Sequence, residues 1–286
     1  MQGGTASDTI RSAMPPKSKL GQNFLEDQRA IARIAEAMGD THDLATVEIG
    51  PGQGAITEAL IHHSGHVTAI EVDPHLALRL RVRFNERQLV VLEQDVLQCD
   101  FTALSEQLGK RLAIAGNLPY YITSPILFHL AEHHKVIDHA VLMVQREVAD
   151  RVTADPGSRD HGLLSVTTQL YGPTSRLFDL PPEAFNPPPQ VHSTVFRWRF
   201  APRFEELGVP EGGIVALAKI AFAQKRKTLN NNLRAARFDA EVIHKAFEEA
   251  EIAPQARAEK LSIEDFAALW RSLEKMHGFP APDSGK

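Results

Sequence analysis

Apolar residues in the first half of the chain recur in short runs, and stretches with helical spacing separate them. Residues 45–49, 66–70, 89–92, 112–115 and 140–144 are apolar runs of the length of a buried strand. Between them, 55–63, 74–85 and 124–133 are long enough for crossover helices. Ahead of the first run, Leu25, Ile31, Ile34, Ala35 and Met38 keep a helical spacing that Gly39 ends. Strand alternating with helix predicts an α/β fold, a parallel Rossmann-like sheet with helices on both faces. After Gln145 the rhythm changes. Residues 163–170 fit a helix or a strand equally well, whereas 176–180 and 194–200 read as strands on either side of a proline-rich stretch, 181–189. Two late strands joined by a loop predict an antiparallel edge on the sheet. From about Pro202 only helical patterns remain, over 214–222, 227–236, 240–250 and 262–275. The expected organisation is a disordered polar lead over 1–16, an α/β unit over 17–201 and a small helical unit over 202–286. No internal repeat is present.

Composition narrows the class. Hydrophobic residues make up 43% and charged residues 23%, which is a globular balance. No apolar run approaches the roughly 20 residues of a membrane span, and residues 1–16 lack the apolar centre of a secretory signal. The single cysteine, Cys99, excludes an internal disulfide framework and suits a reducing compartment. The expectation is a soluble cytoplasmic protein, with Met14 a candidate alternative start. The net charge of −5 is spread unevenly: residues 219–237 (KIAFAQKRKTLNNNLRAAR) hold six basic residues and no acidic one. That segment is either a solvated helix face or a patch that steers a polyanion.

The most specific four residues are Asn117-Leu118-Pro119-Tyr120, at the end of the run 112–116. Asn117 offers a side-chain carbonyl. Pro119 holds Leu118 extended, so that the Leu118 backbone carbonyl faces outward beside it. Tyr120 adds a flat ring. Two convergent acceptors and an aromatic face suit the exocyclic amine of a planar base; a plain strand-end turn is the other reading.

Upstream, Glu48-Ile49-Gly50-Pro51-Gly52-Gln53-Gly54 forms a glycine loop between a strand and a helix, at the sheet edge where α/β proteins bind ligands. Gly50, Gly52 and Ala55 satisfy the dinucleotide pattern formally, and Glu71, at the end of the next strand, suits two ribose hydroxyls. These features fit NAD as well as S-adenosylmethionine. Asp95, placed after the third strand to accept from an adenine amine, and the Asn117 motif beyond it favour a methyltransferase over a dehydrogenase.

These blocks occur in a familiar order. KLGQNFL (19–25), the glycine loop, NLPY (117–120), MVQREV (143–148), FNPPPQV (185–191) and QKRKTL (224–229) together resemble the KsgA (RsmA) family of small-subunit ribosomal RNA adenine dimethyltransferases over roughly residues 17–275. The resemblance implies S-adenosylmethionine as methyl donor, no metal, and a substrate of two adjacent adenosines in the 3′-terminal hairpin loop of 16S rRNA within an immature 30S subunit. It implies a monomer and no membrane partner. Asn23 and Leu25 would close over the cofactor, Gly50 would face its methionine end, Glu71 its ribose and Asp95 its adenine. Asn117 would lie near the transferring methyl.

The target base would leave its stack, with Tyr120 on one face and Phe185 on the other, unless Phe185 anchors its loop in the core. Lys225, Arg226, Lys227 and Arg234 would meet rRNA phosphates. Tyr121 stands where Asn is frequent in the family, and His192 where an Asp commonly precedes Ser193. Rival readings are a 23S rRNA adenine methyltransferase, a largely non-catalytic 30S assembly factor and a DNA adenine methyltransferase. His62, His63 and His66, like His129 and His133, lack a Cys or carboxylate to complete a metal set and read as surface histidines. Cys99 has no base beside it to make it a nucleophile and reads as structural.

Overall fold

The alternating pattern becomes a single doubly wound sheet in a computed structural model that describes residues 23–276. The lead expected over 1–16 lies outside the described residues. In chain order the elements are β1 (Phe24–Leu25), α1 (Gln28–Ala37), β2 (Leu44–Ile49), α2 (Ala55–Ser64), β3 (Val67–Glu71), α3 (Pro74–Arg83), β4 (Leu89–Glu93), α4 (Phe101–Leu108), β5 (Arg111–Asn117), α5 (Thr123–Glu132), β6 (Ile137–Gln145) and α6 (Arg146–Val152). Then follow α7 (Leu163–Tyr171), β7 (Thr174–Leu180), β8 (Phe185–Asn186), β9 (Ser193–Arg199), α8 (Phe204–Leu207), α9 (Glu211–Ala221), α10 (Leu229–Ala235), α11 (Ala240–Glu249) and α12 (Ile263–Lys275).

Seven strands pair in the order β4-β3-β2-β5-β6-β9-β7. The first five run parallel, and β9 and β7 add the antiparallel edge. The chain winds outward from β2 to β4 and returns to the other side of β2 with β5, which puts the switch point between β2 and β5. The loops after those two strands are the glycine loop and Asn117-Leu118-Pro119-Tyr120.

Alternate residues of β5 feed two apolar layers. Leu112 and Ile114 join a cluster with Phe101, Leu127 and Trp198, and Ala113 and Ala115 join one with Ile34, Leu60 and Leu80. Burial on both faces explains why the parallel strands read as unbroken apolar runs. The first cluster continues through Ile214, Leu217, Leu233 and Phe266, and α9 and α12 pack on α7, so the last helices join the same apolar core.

The ambiguous run at 163–170 is helical. In α7 nearly every residue is buried, Ser165, Thr167 and Thr168 included, because the helix packs between α5 and α6 and the C-terminal helices, and a helix buried all round has no apolar stripe to read. Trp198 fastens it by donating Nε1–H to the Thr168 carbonyl at 3.2 Å. The patterns above did not mark α4 or α6. For α4 the end signals are present in the chain: Asp100 caps its first turn by accepting from the Thr102 and Ala103 amides, and Gly109 ends it in the left-handed region.

One close approach sets the geometry of the switch point. Gly116 lies opposite Ile49, and a Cβ there would sit 2.9 Å from the Ile49 carbonyl oxygen, closer than the backbone tolerates. Gly116→Ala is therefore expected to lower stability by about 1–3 kcal/mol as β2 and β5 are forced apart. A fall in the midpoint of chemical denaturation at unchanged m-value checks this.

Candidate active site

The glycine loop turns on Gly50 and Gly52, whose φ angles of 65° and 57° lie in the left-handed region. The loop is tied on both sides. Gly50 donates its N–H to the Ile70 carbonyl, and Gly52 donates to Glu71 Oε2 at 3.1 Å. The second Glu71 oxygen accepts from the Asp73 amide at 2.9 Å, so this buried carboxylate is held by two backbone donors and keeps a free lone pair on each oxygen. Behind it Glu48 is fully buried and accepts from Thr57 Oγ1 at 2.5 Å. Burial, reinforced by the charge of Glu71, pushes the Glu48 carboxyl up to about 8. Burial also raises Glu71 above its ordinary range, against the opposing pull of its backbone donors.

The Asn117 motif is anchored from three sides. Leu118 is buried and donates its N–H to the Met143 carbonyl at 2.9 Å. The Pro119 carbonyl accepts from Thr123 Oγ1 at 3.0 Å. Asn117 Nδ2 donates to the Asn23 carbonyl at 3.2 Å, across 94 positions of chain. A carbonyl can only accept, so that side of the amide is the NH2 group and Oδ1 is the atom left over. No donor among the described residues reaches Asn117 Oδ1 or the Leu118 carbonyl oxygen. The Tyr120 hydroxyl lies 3.0 Å from Ser193 Oγ at the start of β9, which fixes the ring beside these two acceptors.

A cleft of about 1000 Å³ runs along this sheet edge. Asn23, Leu25, Gly50, Glu71, Asp95, Asn117, Leu118 and Tyr120 all line it. Asp95 uses Oδ1 to cap the short turn after β4, accepting from Leu97 N at 2.9 Å. Phe24 closes the near side, its ring 3.1 Å from where a Gly52 Cβ would stand.

Two groups lie elsewhere. Phe185 is 3% exposed, packs in the apolar layer with Leu25 and Leu180, and does not line the cleft. The pairing of β1 with β8, Leu25 opposite Phe185, turns the ring inward, so the expectation of a second stacking face gives way to that of a core anchor. Lys225, Arg226, Lys227 and Arg234 are exposed on the C-terminal helical part, and none lines the cleft.

Sequence reasoning missed Glu48, Phe24, Ser193 and Tyr121. Glu48 stood in the glycine loop as quoted, but nothing in its sequence context signals that it would be buried against Thr57. The other three flank motifs that were read for different residues. Cys99 is buried, and burial pushes its thiol up to about 11, far from a reactive thiolate. His129 and His133 pack against each other and Phe101, with His129 Nε2 2.8 Å from the Cys99 carbonyl.

The charge of the cleft separates the two cofactor classes. Among the described residues its lining carries five carboxylates, on Glu26, Glu58, Glu71, Asp73 and Asp95, against one guanidinium, Arg83, which is already paired with Glu58. A dinucleotide would bring a pyrophosphate into that field, whereas a nucleoside bearing sulfonium and ammonium charges is favoured by it. The fold and this cleft define a methyltransferase of the S-adenosylmethionine-dependent class.

Comparison with known proteins takes the assignment further. The family model "Ribosomal RNA adenine dimethylase" matches residues 15–275. The chain is 54% identical over 259 residues to ribosomal RNA small subunit methyltransferase A of Acidobacterium capsulatum, covering 90% of this chain and 91% of that one. It is 47% identical over 271 residues to the protein of the same name from Koribacter versatilis, covering 91% and 95%. Among solved structures, the 23S rRNA methyltransferase ErmE superposes with a TM-score of 0.67 at 26% identity, over 88% of this chain and all of that one. A dimethyladenosine transferase from Plasmodium falciparum shares the fold, with a TM-score of 0.71 at 23% identity over 89% of this chain and 98% of that one. The chain belongs to the ribosomal RNA adenine dimethylase family.

Glu48 yields a pH prediction. In the fold it holds its proton up to about pH 8, but an unfolded glutamate releases it near 4.5, so the folded state binds more protons between those values. Stability then falls as pH rises across that window, by up to roughly 1.4 kcal/mol per pH unit from this group. Glu48→Gln keeps the acceptor for Thr57 and is expected to flatten the decline. Urea melts of both proteins at pH 5, 6, 7 and 8 check this; parallel pH profiles would refute it.

Proposed function

We infer that this protein dimethylates the N6 amines of two adjacent adenosines in the 3′-terminal hairpin loop of 16S rRNA, in an immature 30S subunit, and does so as a cytoplasmic monomer. The observation that carries the reading is the pair of unclaimed acceptors, Asn117 Oδ1 and the Leu118 carbonyl, beside the Tyr120 ring at the cleft. S-Adenosylmethionine would supply a methyl already activated on a sulfonium. Asn23 and Leu25 would close over the cofactor, Gly50 would face its methionine end, Glu71 its ribose and Asp95 its adenine.

The lone pair of an adenine amine is delocalised into the ring, which makes it a weak nucleophile. Accepting one N–H at Asn117 Oδ1 and the other at the Leu118 carbonyl favours a more tetrahedral nitrogen whose lone pair can point at the methyl. As the N–C bond formed, the S–CH3 bond would break to leave S-adenosylhomocysteine, and the amine proton would pass to solvent. Orientation and field would supply the catalysis, and no side chain in the motif needs to act as a strong base. After the first transfer one N–H remains, and one of the two acceptors still serves it. Tyr120 supplies the stacking face for a base drawn from its helix.

The identity of 54% to a small-subunit enzyme, against 26% to the 23S enzyme ErmE, supports the small-subunit substrate. The exposed cations Lys225, Arg226 and Lys227, on the loop before α10, together with Arg234 on α10, suit phosphate contacts away from the reacting centre. We take residues 202–276 as the RNA-facing helical part of the enzyme on the strength of these cations.

Tritiated-methyl transfer from S-adenosylmethionine to 30S particles lacking dimethyladenosine tests the reading. The wild-type protein should label 16S rRNA at two adjacent adenosines and leave naked 23S rRNA unlabelled. Asn117→Ala should lower transfer at least 100-fold while 30S binding persists, the order of loss on removing one preorganised polar group. Label confined to 23S rRNA would overturn the reading. Replacing Lys225, Arg226 and Lys227 together by Glu should raise the KM for 30S particles and reduce its salt dependence, with kcat little changed.

A further inference from the structure

The motif ends in two consecutive tyrosines that face different ways. Tyr120 and Tyr121 open a short 3-10 turn, Tyr120–Ile122, in which neighbouring side chains project about a third of a turn apart. The Tyr120 hydroxyl is tied to Ser193 on β9, which lies beyond β6 on one side of β5. Glu71 and Asp95 lie on the other side of β5, after β3 and β4. Tyr121 makes no such tie to β9 among the described residues. It lines the cleft together with Asp95, Val96 and Leu97, and burial, then the charges of Asp95 and Glu71, raise its hydroxyl above the ordinary tyrosine range.

Tyr121 is also the most exposed aromatic ring of the cleft. It is 60% exposed, whereas the rest of the motif is buried or half-buried, and no hydrogen bond holds it among the described residues. An open, apolar, planar group over a binding wall gains most when a flat ligand covers it.

We propose that Tyr121 is a cofactor-positioning residue whose ring closes over the adenine that Asp95 receives, covering the nucleoside end of the cleft. This rests on the S-adenosylmethionine reading above and deepens it. The two tyrosines then divide the work: Tyr120 faces the base that is methylated, and Tyr121 the base that belongs to the methyl donor. The ring carries the effect; the hydroxyl does not.

S-Adenosylhomocysteine, which keeps the adenosine and lacks the transferable methyl, is the probe. Its Kd for Tyr121→Ala, measured by titration calorimetry, is expected to rise about 5- to 100-fold, the range of a lost base–aromatic stack, and for Tyr121→Phe to stay within about twofold of wild type. Affinity of the cofactor-free proteins for 30S particles is expected to be the same for all three. Unchanged S-adenosylhomocysteine affinity in Tyr121→Ala would overturn the proposal, and weakened 30S affinity alongside it would give the ring to the RNA instead. A wild-type protein that fails to bind S-adenosylhomocysteine would instead overturn the cofactor reading on which the proposal rests, so the two failures are told apart.

Discussion

The site depends on the hydrogen bond from Asn117 Nδ2 to the Asn23 carbonyl. An amide side chain has a donor end and an acceptor end, and committing one to a backbone carbonyl fixes the other. The bond therefore orients Oδ1 toward the cleft before any substrate arrives, so the orientation costs nothing at the moment of reaction. It also places residue 23 over the sheet edge, where the following Phe24 ring packs on Gly52 of the glycine loop. A side chain at Gly52 would displace that ring, and one at Gly116 would displace β5 from β2. The loop, the N-terminal segment and the Asn117 motif are thus held in register by contacts that leave no room for a Cβ at Gly52 or Gly116.

The same segment reaches a third part of the site. After Asn23, the chain forms β1 against β8, and Glu26 and Asp27 donate their amides to the Ala184 carbonyl while the Asn186 side chain donates to Glu26. The stretch from Asn23 to Asp27 is therefore bonded to the methyl-transfer motif on one side and to the proline-rich loop on the other. That second attachment is why Phe185 is buried: the ladder that pins the loop turns its ring into the core.

Much of this architecture was legible in the chain. Strands buried on both faces leave unbroken apolar runs, so β2 to β6 could be placed within a few residues, and the antiparallel edge followed from two late strands around prolines. The glycine loop, Glu71, Asp95 and Asn117 fall just after strands, and strand ends are positions that local pattern locates well. What local pattern cannot carry is contact between distant segments. The burial of Phe185 depends on β1, 160 positions away by the Glu26–Asn186 bond. The proton on Glu48 depends on burial in the folded core, reinforced by the charge of Glu71, and neither marks it from the sequence. The helix α7 lost its periodicity because helices more than 40 residues downstream cover it.

The distribution of charge follows from the chemistry at each place. A protein of net charge −5 that handles a polyanion must keep its acids from facing the phosphates. Here Glu71, Asp73 and Asp95 are gathered inside a cleft, where they favour a cationic nucleoside, and Lys225, Arg226 and Lys227 stand exposed on the helical part. On the proposed reading the base to be methylated enters the acidic cleft, and it could do so because an adenine would present its amine there and leave its phosphates outside. The acceptors proposed to receive that amine, an amide oxygen and a backbone carbonyl, are both uncharged. A carboxylate in their place would add a negative charge beside those already present and would compete for the sulfonium itself. On the proposed reading, a neutral acceptor pair would activate the amine without trapping the methyl donor, which gives a physical reason for Asn at position 117.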